Sequence, residues 1–263
     1  NGLNVALDYP LIFGAGPIPA YGVAGAAAAS AISQWAGAGW ALWIVYRRLG
    51  GASGLRWNEA MDLLRVGGDL FVRTGLLTLV LLLTTRAATK IGSEAGAAHQ
   101  AIRQVWMFTA LFLDAFAFTG QSLVGYFEGA GDRRQKRRVA LVVCQWSLGA
   151  GVVLGAAMLL GTGAVERLFV PTSAQALFGS AWFVAAVTQP LNALSFGTDG
   201  LHWGTGAYRY LRNVMIGATA IGAIGILIID EAAAGALTLV WVVTGLWILI
   251  RAALGVWGVL RWD

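Results

Sequence analysis

Three aspartates lie where the chain offers few polar neighbours. Asp8, Asp114 and Asp199 each sit well inside an apolar run, whereas the other acidic residues, of 13 in all, lie in connections or near the ends of such runs. A carboxyl group in apolar surroundings is costly to keep and is a candidate for proton transfer or cation pairing. These aspartates are therefore the first candidates for chemistry.

Asp8 has a polar neighbour one helical turn away. In a helix, Asn4 lies one turn before Asp8 on the same face, and Pro10 removes a backbone donor beside the carboxyl group. The pattern predicts a proton or cation site with a hinge at Pro10. The alternative, which stays open here, is a protonated aspartate that only hydrogen-bonds a neighbouring helix.

Asp114 and Asp199 have a stronger structural explanation, because an interhelical hydrogen bond or an arginine partner would account for either one. For Arg73, however, the simpler partner is Asp69, one turn earlier on the same face. Arg103 and Arg251 are expected to extend their charged ends toward a membrane interface.

His202 follows Asp199 by three residues, so the two share a helical face. Such a pair could relay protons or bind a metal. One histidine and one carboxylate are too few ligands, and we predict no metal site. Pro190 lies nine residues before Asp199 and is predicted to be a second hinge.

Membrane-spanning helices must position these residues. Of 263 residues, 58% are hydrophobic and 12% are charged, against about 25% charged in soluble domains. A water-soluble globule is therefore excluded, and an all-α polytopic membrane protein is predicted. A span needs about 20 mainly apolar residues. After a short opening segment that ends near Gly14, we predict full spans at Val23–Tyr46, Gly68–Ile91, Gln104–Phe127, Val139–Leu160, Gln175–Gly200, Val214–Ile229 and Gly235–Leu260.

The net charge of +5 carries a topology signal. Most basic residues fall in alternate connections, above all in the run Arg133–Arg138. Because cytoplasmic loops retain Lys and Arg, the C-terminus is predicted to be cytoplasmic. That run could instead attract nucleic acid, but a short loop has no room for a base-reading element. The predicted partner is the lipid bilayer, and no nucleic acid is expected.

Motifs for enzymatic chemistry are absent from the sequence. It has no HExxH, no P-loop and no Gly-x-Ser-x-Gly elbow, and its single cysteine, Cys144, cannot form an intrachain disulfide. We predict that the chain is not an enzyme. It opens at Asn1 within an apolar stretch, without a signal-peptide pattern, so we expect a fragment whose missing N-terminal part belongs to the same polypeptide.

Several motifs, in order along the chain, resemble the multidrug and toxic compound extrusion (MATE) family. The segments Asn4–Gly14 and Gly22–Gln34 look like that family's fifth and sixth helices. Further matches, which point to its DinF-like branch, are Ala97–Gln100, Asp114 through Gln121 to Asp132, Gln189–Ala193 and Asp199–Arg212. The resemblance covers essentially the whole chain.

The resemblance implies a two-lobe helical bundle of twelve helices, of which this chain holds helices five to twelve. Residues 1–46 would end the N-terminal lobe, 47–67 would form a cytoplasmic linker between lobes, and 68–263 would form the C-terminal six-helix lobe.

The resemblance also implies roles for particular residues. Asn4 and Asp8 match a polar pair that joins a first-helix aspartate, absent here, in a proton or cation site, and Ser30 stands where relatives often have Thr. Asp199 matches a carboxylate of sodium-coupled relatives, while His202 departs from the family's usual apolar residue. The candidates for a substrate site or second coupling site are Asp114, Gln121, Asp199 and His202.

The implied function is the export of organic cationic or amphipathic compounds in exchange for protons, by alternating access. Sodium is the alternative coupling ion, and no other cofactor is expected. The full-length protein would act as a monomer in the inner, or plasma, membrane. The alternatives are a flippase for lipids or lipid-linked sugars, which would have a more cationic cavity, and an intramembrane enzyme.

Overall fold

The computed structural model describes residues 2–50 and 56–262. Within those ranges the chain forms helices and no β-strand, which confirms the predicted all-α class. The α-helices are α1 (Gly2–Phe13), α2 (Gly22–Leu49), α3 (Trp57–Ile91), α4 (Ser93–Gly129), α5 (Arg133–Leu160), α6 (Thr162–Phe169), α7 (Gln175–Val187), α8 (Gln189–Gly204), α9 (Tyr208–Leu227) and α10 (Ala236–Leu260). A 3₁₀ turn, Thr172–Ala174, precedes α7.

Five of the described helices, α3, α4, α5, α9 and α10, are long and apolar enough to cross a membrane. They contain or closely overlap five of the predicted spans, and the chain is a multi-pass membrane protein. The helix α2 contains the predicted span 23–46 but is not among the five. Its composition explains this, because its glycines, its two serines and Gln34 lower its mean hydropathy.

The predicted span 175–200 was wrong as a single helix. It consists of two helices, α7 and α8, which meet at Thr188. Pro190 lies in the first turn of α8, where its missing N–H costs nothing, whereas inside a continuous helix it would remove a hydrogen bond and clash with the preceding turn. The Thr188 hydroxyl donates to the Val184 carbonyl at 3.0 Å and so completes the end of α7.

Contacts divide the chain between Ala60 and Met61 into two compact units. The first holds α1, α2 and the start of α3, and the second holds the rest of the helices. The predicted linker 47–67 includes residues 51–55, which lie outside the described residues, and α3 already begins within it at Trp57. The predicted lobe boundaries stay a prediction.

In the second unit, α8 packs against α4, α5 and α10. Small residues allow this close packing. A methyl group at Gly200 would lie 2.1 Å from the Ala117 carbonyl oxygen of α4, and one at Gly151 of α5 would lie 2.6 Å from the Cα of Pro190. Helices in membranes gain stability from such backbone approach. As a result α8 carries Asp199 and His202 through the middle of the unit.

Candidate functional site

The first unit brings together the three residues predicted to form a proton or cation site. The side-chain amide of Asn4 donates to Asp8 Oδ1 at 3.4 Å and to Ser30 Oγ at 3.5 Å. Asn4 and Asp8 are half-buried on α1, and Ser30 lies on α2. Within the described residues, Asp8 has no ion-pair partner. We call these three residues the Asp8 cluster.

Close packing between α1 and α2 positions the Asp8 cluster. A methyl group at Gly25 would lie 2.1 Å from the Leu11 carbonyl oxygen, so only glycine admits this approach. The same Leu11 oxygen accepts a hydrogen bond from the Tyr21 N–H at 3.0 Å. Pro10 lies inside α1, which remains helical to Phe13. Because proline has no N–H, the carbonyl one turn earlier lacks its usual donor, and the hinge role of Pro10 stays a prediction.

In the second unit, one carboxylate joins three helices. Asp199 Oδ2 on α8 accepts a hydrogen bond from Arg73 Nη2 on α3 and another, at 2.8 Å, from Arg251 Nη2 on α10. The Arg251 side chain is 2% exposed, and those of Arg73 and Asp199 are each 11% exposed. We call Arg73, Asp199 and Arg251 the buried triad. With all three residues ionised, it carries one excess positive charge.

Aromatic rings complete the surroundings of both guanidinium groups. The Arg251 guanidinium lies over the Trp247 ring, 4.5 Å from its centroid, and that of Arg73 lies 4.8 Å from the centroid of Trp203. Stacking on an aromatic face stabilises a cation that water does not reach. Even so, the Nε atoms of both arginines and Nη1 of Arg251 are buried without a hydrogen-bond partner in the described part of the chain.

The buried triad corrects two expectations. Asp69 does not pair with Arg73, because its Oδ1 accepts from Arg212 Nη1 of α9 at 2.5 Å. Arg251 does not extend to an interface, because it is buried against Asp199. Neighbours one turn apart on a helix can pair only if they face the same surroundings, and here Arg73 faces the carboxylate of α8. The partners are separated by 126 and 52 residues, so sequence spacing gives no signal for them.

His202 contacts the backbone of α10. Its Nε2 lies 3.0 Å from the Gly255 carbonyl oxygen, which identifies Nε2 as the donor. The ring is 1% exposed and packs against Tyr210 and Trp262. Across residues 2–50 and 56–262, no group of three or more His, Cys, Asp or Glu side chains could hold a metal ion. The contact between His202 and Gly255 links α8 to α10.

Asp114 and Gln121 are half-buried on α4 and form no side-chain hydrogen bond to any described residue. Arg73 pairs with Asp199 instead of Asp114. The four residues of the predicted second site therefore do not form a single cluster. Asp199 belongs to the buried triad, His202 to the contact between α8 and α10, and the other two to α4.

A buried polar cluster near Pro190 was missed at the sequence level. Gln189 Oε1 lies 3.4 Å from both the Thr109 hydroxyl and the Asn192 amide, and the side chains of Gln189 and Asn192 are fully buried. The signal was present, because Gln189 and Asn192 belong to the segment Gln189–Ala193, which resembles the MATE family. Polar residues beside a proline within an apolar segment indicate that the freed backbone and side chains have partners there.

Comparisons with known proteins agree on one family, although no protein-family profile matches the chain. Over 261 residues the chain is 32% identical to Protein DETOXIFICATION 44, chloroplastic, of Arabidopsis thaliana, covering 98% of this chain and 49% of that protein. It is 29% identical to Multidrug resistance protein NorM of Burkholderia vietnamiensis, covering 82% of this chain and 48% of that protein. A structure of a MATE family multidrug resistance transporter in an outward-facing conformation matches 99% of this chain and 60% of its own, with a TM-score of 0.82 and 20% identity.

The chain belongs to the MATE family. Its family and its MATE-like helical fold are thus as predicted, while the DinF-like branch stays a prediction. MATE proteins are transporters, which confirms that the chain is not an enzyme. The chain spans about half the length of the curated relatives it matches. The activity of the whole MATE protein is therefore a matter for proposal.

Proposed function

We propose that the full-length protein is a proton-coupled MATE antiporter that exports organic cationic or amphipathic compounds by alternating access. The observation that carries this proposal is the Asp8 cluster. Of the three aspartates inside apolar runs, Asp8 is the one whose carboxyl group contacts a neutral amide and forms no ion pair with a described residue. A carboxylate free of a fixed cation is available to exchange a coupling ion.

The Asp8 cluster offers a direct way to convert protonation into movement. An ionised Asp8 accepts the hydrogen bond from Asn4, which also contacts Ser30. A protonated carboxyl group is also a donor, so it favours a different set of partners. Because Pro10 weakens the backbone ladder of α1 nearby, this helix can rearrange with the change. Inward movement of one proton then supplies about 2.3 kcal/mol per 100 mV of membrane potential.

The test compares proton-driven efflux in proteoliposomes between the full-length wild type and Asp8→Asn. We expect coupled efflux to fall by at least about 100-fold, because a positioned proton-transfer group contributes about 10²–10⁴-fold to the step that it serves. Glu94→Gln is the matched control, because Glu94 is exposed on α4 and its loss should leave efflux unchanged. Ser30→Thr keeps the hydroxyl group and should retain more activity than Ser30→Ala. Undiminished coupled efflux in Asp8→Asn would contradict the proposal.

Sodium is the alternative coupling ion, and the same assay separates the two. A proton gradient without sodium should drive efflux by the wild type, whereas a sodium gradient at equal pH should not. Efflux driven by the sodium gradient and not by the proton gradient would show that sodium is the coupling ion. Asp8→Asn would then test whether Asp8 is a ligand of that ion.

A second candidate function, a flippase for lipids or lipid-linked sugars, is favoured by the excess positive charge of the buried triad. Two arginines for one carboxylate suit an anionic phosphate better than an organic cation. Substrate-dependent proton movement separates the candidates. An antiporter moves protons when an organic cation is supplied, whereas a flippase transfers labelled lipid between leaflets without that cation.

We also propose that the protein lies in the plasma membrane with its C-terminus in the cytoplasm, as the distribution of basic residues indicates. The relative DETOXIFICATION 44 is named a chloroplastic protein, so an organelle membrane is the alternative location. A C-terminal fluorescent protein on the full-length chain would report the membrane. Its protection from external protease would report the side.

A further inference from the structure

The outer surface of the second unit carries an apolar groove between α4 and α5. Its volume is about 460 Å³. Aromatic and aliphatic side chains form most of its walls, and Gln135 and Arg138 lie at the end nearest the turn between the two helices. The apolar lining residues include Phe116, Leu123 and Phe127 of α4 and Val139, Val142 and Trp146 of α5.

A basic pocket adjoins the groove at that end. It has a volume of about 700 Å³ and shares Gln135 and Arg138 with the groove. Its other lining residues are Arg134, Arg137, Leu141 and one acidic residue, Asp132, whose carboxylate accepts the Gln135 N–H at 2.9 Å. All three arginines are exposed, and none forms an ion pair with another described residue. Lys136 differs from them, because it is buried and pairs with Glu128 at 2.8 Å. The arginines are therefore charges without a protein partner in this part of the chain.

The dimensions of the groove match one leaflet of a bilayer. Its α4 wall runs from Ala115 to Phe127, or about 18 Å of helix at 1.5 Å per residue. The hydrocarbon core is about 30 Å thick, so this wall covers slightly more than half of it. Because charged side chains are costly in hydrocarbon, we expect the end of the groove at the turn after Gly129 to lie at the membrane surface and the groove to lead from there toward the middle of the bilayer.

We propose that the groove and the basic pocket together bind one anionic phospholipid. An acyl chain lies along the apolar walls, and the phosphate contacts Arg138 with Arg134 or Arg137. Guanidinium groups bind phosphate oxygens in bidentate geometry, and basic pockets between membrane helices suit anionic headgroups. The continuity of the two cavities selects a lipid over a free phosphate ion, which would leave the apolar groove unused.

Native mass spectrometry of the purified full-length protein tests the proposal. Phosphatidylglycerol and phosphatidylcholine with identical acyl chains are titrated separately, and phosphatidylglycerol should be retained at least about tenfold more tightly. The double variant Arg134→Gln with Arg138→Gln should lose this preference. The matched control, Arg133→Gln with Arg167→Gln, removes the same charge from exposed positions that line neither cavity and should keep it.

Two further experiments separate the contribution of the acyl chain from that of the headgroup. Thr119→Trp places a large ring in the groove and should weaken retention of both lipids while leaving the helix content unchanged. Inorganic phosphate at lipid concentrations should not displace phosphatidylglycerol. Equal retention of the two lipids, an equal loss in the control double variant, or displacement by inorganic phosphate would each overturn the proposal.

Discussion

Arg251 donates a 2.8 Å hydrogen bond to Asp199 in the interior of the second unit, and it links α10 to α8 across 52 residues of sequence. The arginine side chain is 2% exposed, so water cannot compensate its charge. Arg73 brings a second cation to the same carboxylate oxygen. Asp199 is therefore the counter-charge for an arginine on each of two helices. The three members of the buried triad should for this reason contribute unequally to stability.

Asp199→Asn should destabilise the protein more than removal of either arginine. The substitution leaves two buried guanidinium groups without a counter-charge, and breaking a buried ion pair in this way costs about 3–5 kcal/mol. Arg251→Met leaves a neutral pair between Arg73 and Asp199 and keeps an apolar side chain against Trp247. Thermal unfolding of the purified full-length protein in detergent would measure both.

The matched control for this comparison is Asp230→Asn, because Asp230 is exposed and its carboxylate accepts only a local hydrogen bond from the Ala232 N–H. We expect its midpoint of thermal unfolding to stay near that of the wild type. If Arg251→Met proved as damaging as Asp199→Asn, the charge balance inferred for the buried triad would be wrong.

Gly25→Ala should separate α1 from α2, because the added methyl group would lie 2.1 Å from a backbone oxygen that cannot move independently. Overpacking of this kind costs about 1–3 kcal/mol. Gly37→Ala on the same helix meets no atom within 4 Å and should gain up to about 1 kcal/mol of helix propensity. Thermal unfolding and proton-driven efflux of the two variants check the expectation, and equal behaviour would contradict it.

Two of the three residues of the Asp8 cluster could be predicted from local spacing. Asn4 and Asp8 lie one helical turn apart, and the MATE resemblance supplied Ser30, which spacing alone could not have placed beside them. The apolar runs predicted most helices for the same reason, since a span of about 20 apolar residues is a local property. The break at Thr188 is a local effect of Pro190. The length of the apolar run 175–200 predicted one helix and gave no sign of this break.

The buried triad could not be predicted in this way. Asp69 is the acidic residue nearest to Arg73 on α3. Asp69, however, pairs with Arg212 of α9, and Arg73 pairs with Asp199 of α8. The choice depends on which helix each side chain faces, and helix packing is fixed by close approach at small residues such as Gly200. A single sequence shows where such residues occur and does not show which helix they contact.

His202 should contribute to stability through α10, without a metal. Replacing it by Phe removes the second donor to the Gly255 carbonyl oxygen, which lies within α10, and the loss of one hydrogen bond costs about 0.5–1.5 kcal/mol. The ring volume and the packing against Tyr210 are largely retained. We therefore expect a lower midpoint of thermal unfolding for His202→Phe and no change in the wild-type midpoint on addition of EDTA. A fall in the wild-type midpoint with EDTA would show that a bound metal stabilises the protein, and an unchanged midpoint for His202→Phe would show that the contact with Gly255 contributes little.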